Sequence, residues 1–171
     1  MRVTTKSLAV SGLLAALTAV ATMALKVPVP ATSGYVHLGD TIILFSALLL
    51  GPAAAPIGGV GSALADLLGG YGQYVLPTLV IKAVVGLVAG RWGRLSGKGA
   101  LGRSAVAFAA AQTLMALGYW AFECLYYTPG AAWVALGPNL LQGLFSAMLA
   151  LALLPVARRV APMLAPGGRP K

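Results

Sequence analysis

The chain has 171 residues; 59% are hydrophobic, 22 are glycine and only 9% are charged, with 12 Lys or Arg against 3 Asp or Glu. A soluble domain cannot cover itself with so few charges, and its apolar share normally stays near roughly 45–50%. Composition therefore excludes a soluble globular domain, a disordered chain and a disulfide scaffold, and leaves a small polytopic membrane protein.

A helix needs about 20 apolar residues to cross roughly 30 Å of hydrocarbon, and six segments approach that length. The first is Ser7 to Leu25, with no internal charge. A loop follows from Lys26 to Gly39, with two Val-Pro steps, a Ser-Gly turn, and Tyr35 and His37. The second span, Leu38 to Leu50, is short and opens with Asp40, which can cap free N–H groups at the helix start. Gly51-Pro52 turns the chain into the third span, Ala53 to Gly70, which holds Asp66. Gly69-Gly70-Tyr71-Gly72 turns it again into the fourth, Gln73 to Gly90, with Tyr74 near its start and Lys82 at its middle. Turns this tight make the second, third and fourth spans antiparallel neighbours. The fifth span, Ser104 to Tyr127, carries Tyr119, Glu123 and Tyr127 at four-residue intervals, on one face. The sixth, Asn139 to Val156, follows Pro138, a residue suited to a first helical turn, and opens with Asn139 and Gln142.

The expected fold class is all-α: one domain, an integral membrane bundle of six transmembrane helices. Arg2 and Lys6 precede the first span; Arg91, Arg94, Lys98 and Arg103 fill the loop after the fourth; Arg158, Arg159, Arg169 and Lys171 follow the sixth. An even number of spans puts all three groups on one side, which the positive-inside rule makes cytoplasmic together with both termini. Ala19-Val20-Ala21 also invites a signal-peptide reading, but removing the first span would break the even count. The net charge of +9 does not read as nucleic-acid binding, because the basic residues sit between apolar runs. One Cys, Cys124, and one His, His37, exclude a zinc site built from His and Cys within the chain. No cofactor is expected.

All three carboxylates, Asp40, Asp66 and Glu123, lie in or beside apolar segments. A charge there costs at least ~2.5–3.5 kcal/mol, so each must face a partner, a cavity or water. Lys82 lies about ten residues, or ~15 Å, below the outer end of its span. Its long stem can reach up to Asp66, so a structural Asp66–Lys82 pair is expected, with contact between Lys82 and a substrate as the alternative. At the outer ends of the last two spans, Tyr119, Glu123, Asn139 and Gln142 collect aromatic rings, a carboxylate and two amides. Rings stack a flat heterocycle and the polar groups read its edge, the make-up of a small-molecule pocket. An interfacial aromatic belt with polar interhelical contacts is the competing reading. In the first span Ser11, Ala15 and Ala19 recur every four residues. Small residues so spaced let helices approach closely, within the chain or against another membrane protein.

These features resemble the substrate-binding S component of energy-coupling factor (ECF) vitamin transporters, most of all the riboflavin and vitamin-precursor branch. The matching stretches are Gly34 to Asp40, Leu48 to Pro52, Gly58 to Tyr71 and Thr78 to Gly90, with weaker matches at Gly118-Tyr119, Glu123 and Pro138 to Gln142. The resemblance implies a multi-pass protein of a prokaryotic plasma membrane that captures a vitamin near its outer face. It also implies delivery inward with a T component and two ATPases, and no chemistry of its own; the chain has no phosphate-binding Gly-rich loop. Carried onto this sequence, it places ligand contacts at Tyr35, His37, Asp40, Tyr74, Tyr119, Glu123, Asn139 and Gln142, and partner contacts at Ser11, Ala15 and Ala19. The ligand would be a pyrimidine or pyridine vitamin precursor, or riboflavin.

Two other classes compete. One is a stand-alone small-molecule or ion-coupled carrier using Asp66 and Lys82 as a proton relay; the other is a structural membrane protein without a ligand. Gly59-Val60-Gly61-Ser62 invites a serine-hydrolase reading, but the one His sits in an outer loop, away from a helical Ser62.

Overall fold

The computed structural model describes residues 5–93 and 95–164, so Arg2, Arg94, Arg169 and Lys171 of the basic clusters lie outside the described residues. The helices are α1 (Thr5–Ala24), α2 (Gly39–Leu50), α3 (Ala54–Leu68), α4 (Val75–Trp92), α5 (Ala100–Tyr126), α6 (Pro129–Ala152) and α7 (Leu154–Leu164). Short 3-10 turns at Gly51–Ala53 and Gly72–Tyr74 join α2 to α3 and α3 to α4.

The all-α expectation needs one correction. Strands β1 (Lys26–Val29) and β2 (Gly34–His37) form an antiparallel hairpin between α1 and α2, with Lys26 opposite His37 and Val29 opposite Gly34. The Val-Pro steps forbid a helix and suit a short strand, since proline lacks the N–H that a ladder needs. Ser33 takes a left-handed φ of 51° and the Thr32 N–H donates to the Val29 carbonyl at 3.2 Å, which turns the strands back on themselves.

Five stretches are long and apolar enough to cross a membrane: Thr5–Ala24, Gly39–Leu68, Gly72–Trp92, Ala100–Tyr126 and Pro129–Ala152. The second holds both α2 and α3, and the 12 residues of α2 rise only about 18 Å. Gly51, at φ 60°, reverses the chain between them. α2 and α3 then run antiparallel, with Gly58 so close to Ile43 that a Cβ there would press on it. α3 and α4 approach backbone to backbone. A Cβ on Gly86 would overlap the Ala54 carbonyl, and one on Gly90 the Gly51 carbonyl. Glycine at these two places sets the helix spacing.

Two expected boundaries move. α6 starts at Pro129, ten residues ahead of Asn139, so Pro138 sits inside a helix. Thr128 supplies the start, its hydroxyl accepting from the Ala131 N–H at 3.2 Å with Pro129 in the first turn. α7 is an additional amphipathic helix. The Lys6 ammonium donates to the Met163 carbonyl, and the Arg158 Nε donates to the Leu95 carbonyl at 2.9 Å. These bonds put the start of α1, the α4–α5 turn and α7 at one end of the bundle. The hairpin lies at the other. Ile43, Leu44, Val85, Phe108 and Met115 fill the apolar core between them.

The small-residue row on α1 packs partly within the chain. Ala19 is buried and a Cβ on Gly61 of α3 would strike the Ala15 carbonyl, so Ala15 and Ala19 serve internal packing, with Ser11 half-buried beside them. The face that α1 leaves exposed carries Gly12, Ala16 and Val20.

Candidate ligand-binding site

The hairpin closes over a cavity at its end of the bundle. Its walls come from α1 (Thr22), the hairpin (Thr32, Tyr35, His37), α3 (Ser62, Asp66), the turn before α4 (Tyr74), α4 (Thr78), α5 (Tyr119, Glu123) and α6 (Asn139, Gln142). Of the expected ligand contacts, Tyr35, His37, Tyr74, Tyr119, Glu123, Asn139 and Gln142 all line it. Asp40 does not.

Asp40 is fully buried just beneath. Its Oδ1 accepts from the Lys82 ammonium at 2.6 Å, and its Oδ2 accepts from Gln142 Nε2 at 2.9 Å. Gln142 Oε1 in turn accepts from the His37 N–H at 2.7 Å. This network ties α2, α4, α6 and β2 together. Two expectations are corrected by it. Lys82 pairs with Asp40, not Asp66, because Asp40 enters the bundle in the first turn of α2 at the level of the Lys82 ammonium. Asp40 makes no capping bond; the cap position is Leu38, and the first N–H of α2, that of Gly39, is taken by the His37 side chain.

Asp66 turns to the cavity. The Tyr35 hydroxyl donates to its Oδ1 at 2.6 Å, leaving Oδ2 buried without a protein partner among the described residues. Burial, reinforced by the Asp66 bond, pushes the Tyr35 phenol up, so it keeps its proton and acts as donor. His37 is pushed down to about 3, chiefly by burial and then by the Lys82 cation, against a smaller opposing pull from Asp40. The imidazole is therefore neutral at pH 7, and its Nδ1 accepts from the Gly39 N–H at 3.0 Å.

Glu123 is likewise under-satisfied. The Tyr74 hydroxyl lies 2.9 Å from the Thr32 carbonyl and 3.0 Å from Glu123 Oε1, and a phenol has one proton to offer both. Glu123 Oε2 has no protein partner among the described residues, nor do the buried hydroxyls of Thr22, Thr32 and Ser62. The Asn139 amide, 8% exposed, has none either. Thr78 and Tyr119 satisfy each other, hydroxyl to hydroxyl at 2.9 Å.

Thr22, Thr32, Ser62 and Thr78 were not foreseen from the sequence. A lone Thr or Ser in an apolar helix carries no signal until packing aims it. Ser62 and His37 do share the cavity, yet the His37 Nδ1 is engaged by Gly39 and the Ser62 hydroxyl bonds to neither His37 nor Asp66. That is no nucleophile–base pair.

Each unpaired buried polar group costs on the order of 1–3 kcal/mol, and here carboxylates, hydroxyls and an amide from five elements converge on one space. A profile for the ECF-type riboflavin transporter S component matches residues 2–159. The chain belongs to that family. It is a multi-pass membrane protein and a subunit that binds substrate for an ECF transporter; the family is one of transport subunits, not of enzymes. The chain is also 40% identical, over 114 residues, to an uncharacterized protein of Pyrococcus woesei, a match covering 66% of this chain and 75% of that relative.

The hairpin forms one wall of the cavity. It is held by the Tyr35–Asp66 bond, the Gln142–His37 bond and the Tyr74–Thr32 bond. The Lys26 ammonium adds a fourth hold, lying 4.5 Å from the Tyr35 ring centre and 4.7 Å from that of Tyr71. Beneath it the free volume is about 30 Å3, room for a water or two. A ligand larger than that needs more room than this arrangement leaves.

Proposed function

We propose that this S component captures riboflavin or a similarly neutral, hydroxyl- and amide-rich heterocyclic vitamin or precursor beneath its hairpin. It would deliver the ligand inward with a T component and two ATPases. The observation that carries the reading is the set of unpartnered buried polar groups facing one cavity: Thr22, Thr32, Ser62, Asp66, Glu123 and Asn139. Asp66 and Glu123 can only accept, so the ligand should bring donors to them, while the hydroxyls of Thr22, Thr32 and Ser62 and the Asn139 amide can each donate or accept. Two carboxylates line the space, and among the described residues no Lys or Arg does. A phosphorylated ligand would set its charge against Asp66 and Glu123 in low dielectric, so the unphosphorylated vitamin is preferred. Tyr35, Tyr74 and Tyr119 supply faces on which a flat ring can stack.

In this reading α2 and α3 cross as separate short helices, giving six spans of a prokaryotic plasma membrane. The termini and the arginine-bearing end face the cytoplasm, supported by Lys6, Arg91, Lys98, Arg103, Arg158 and Arg159 at the end away from the hairpin. The T component would meet the exposed Gly12–Ala16–Val20 face of α1 rather than the row through Ala15 and Ala19.

The test is thermal unfolding of the purified chain in detergent against riboflavin, its phosphate ester, and pyrimidine and pyridine precursors. A ligand that binds only the folded state at 100 times its Kd adds about 2.7 kcal/mol. Stabilisation by one neutral vitamin and not by its phosphate ester supports the reading. No stabilisation by any of them overturns it.

A further inference from the structure

A second feature lies at the opposite end of the bundle, apart from the vitamin cavity. The last turn of α4 and the first three turns of α5 enclose an open groove of about 540 Å3 lined by Arg91, Trp92, Arg103, Val106, Ala107 and Ala110. Arg91 and Arg103 are exposed and have no partner among the described residues. No acidic side chain of this chain can supply one, because all three, Asp40, Asp66 and Glu123, belong to the network and cavity at the hairpin end. Val106, 72% exposed, and Trp92, 57% exposed, face outward, while Ala107 forms the buried floor of the groove.

We propose that this groove binds an anionic phospholipid, its phosphate between Arg91 and Arg103, its glycerol region against Trp92 and an acyl chain along Val106, Ala107 and Ala110. Arg is the side chain best matched to a phosphate, through its planar set of N–H donors. Tryptophan prefers the headgroup level, where one edge is wet and one face is apolar. Basic pockets between helix ends bind acidic headgroups where such lipids are enriched. A free phosphate would use the arginines but leave the apolar wall uncovered, so the combination favours a lipid.

The experiment is native mass spectrometry of the full chain in detergent, titrated with short-chain phosphatidylglycerol and, separately, phosphatidylcholine. The unaltered chain should prefer phosphatidylglycerol. A direct bond from each of these two arginines to the lipid phosphate is worth about fivefold, so Arg91→Gln with Arg103→Gln should weaken binding about 30-fold. Lys6→Gln with Arg159→Gln removes the same charge elsewhere at that end and should change it only a few fold. Each single Arg substitution, about fivefold weaker, serves if the double variant does not fold. The proposal is overturned if the unaltered chain shows no preference. It is equally overturned if the control pair loses as much as the groove pair, or if millimolar inorganic phosphate displaces the lipid, which would make the groove a plain anion site.

Discussion

Lys82 offers the sharpest test of how this bundle is held. Its ammonium and the Asp40 carboxylate are both fully buried, 2.6 Å apart. Lys82→Met keeps the stem's volume and removes the charge. The Asp40 carboxylate then keeps only its bond from Gln142, 2.9 Å away. Breaking one partner out of a buried ion pair costs about 3–5 kcal/mol, whereas replacing both is often near neutral. Asp40→Asn alone should cost a similar amount by removing the carboxylate that neutralises the ammonium, whose other close contact is the Tyr119 ring at 5.3 Å. The double variant, Lys82→Met with Asp40→Asn, should recover at least half of the summed loss. Equilibrium unfolding in mixed detergent and SDS, followed by tryptophan fluorescence, reads all four proteins and gives the coupling energy directly. Additive costs, with no rescue, would refute the claim that the two residues act as one unit. Rescue of Lys82→Met by Asp66→Asn instead would restore the pairing suggested by sequence depth alone.

Further expectations follow the same geometry. Glu123→Ala and Asn139→Ala should each weaken vitamin binding about tenfold or more, as loss of a bond to a buried polar group predicts; calorimetric titration reads it, and unchanged affinity in both means that the polar groups serve packing. His37 binds its proton at 6.5 when unfolded but only near 3 when folded, so between those values the unfolded chain holds more protons. Stability should therefore fall as pH drops below about 6.5, by up to ~1.4 kcal/mol per unit. His37→Gln should flatten that slope in unfolding curves measured between pH 7 and 5; an unchanged slope would put the effect elsewhere. Ala16→Leu on the exposed face of α1 should spare vitamin binding yet abolish uptake by vesicles holding T component and ATPases. Uptake that survives would move the docking face off α1.

Much of the fold was legible because greasy runs and glycine turns are written in composition. Gly51-Pro52 and Gly69 to Gly72 mark reversals that the helices obey. The hairpin was not legible: four residues per strand give too little alternation, and its prolines look like loop residues until the two strands meet. Thr128-Pro129 was a start signal for α6, masked by the stronger-looking Pro138. At the site, carboxylates stood out because a charge in an apolar run is costly; Glu123 lines the cavity, but Asp40 and Asp66 exchange the places expected of them, Asp66 facing the cavity and Asp40 meeting Lys82. The cost could not tell which carboxylate Lys82 would meet. That depends on side-chain depth across three helices, and Asp40 enters from a helix whose first turn sits lower than its position in the sequence suggests. The small-residue row on α1 was seen, but periodicity alone does not say whether a close approach is to α3 or to another protein.

The most direct measurement of the central claim is identification, by mass spectrometry after denaturation, of the small molecule that the purified chain retains, compared with a Glu123→Ala, Asn139→Ala double variant. The expected result is a neutral heterocyclic vitamin near one per chain, lost or much depleted in the variant. A phosphorylated or otherwise anionic ligand, or equal retention by both proteins, would contradict it.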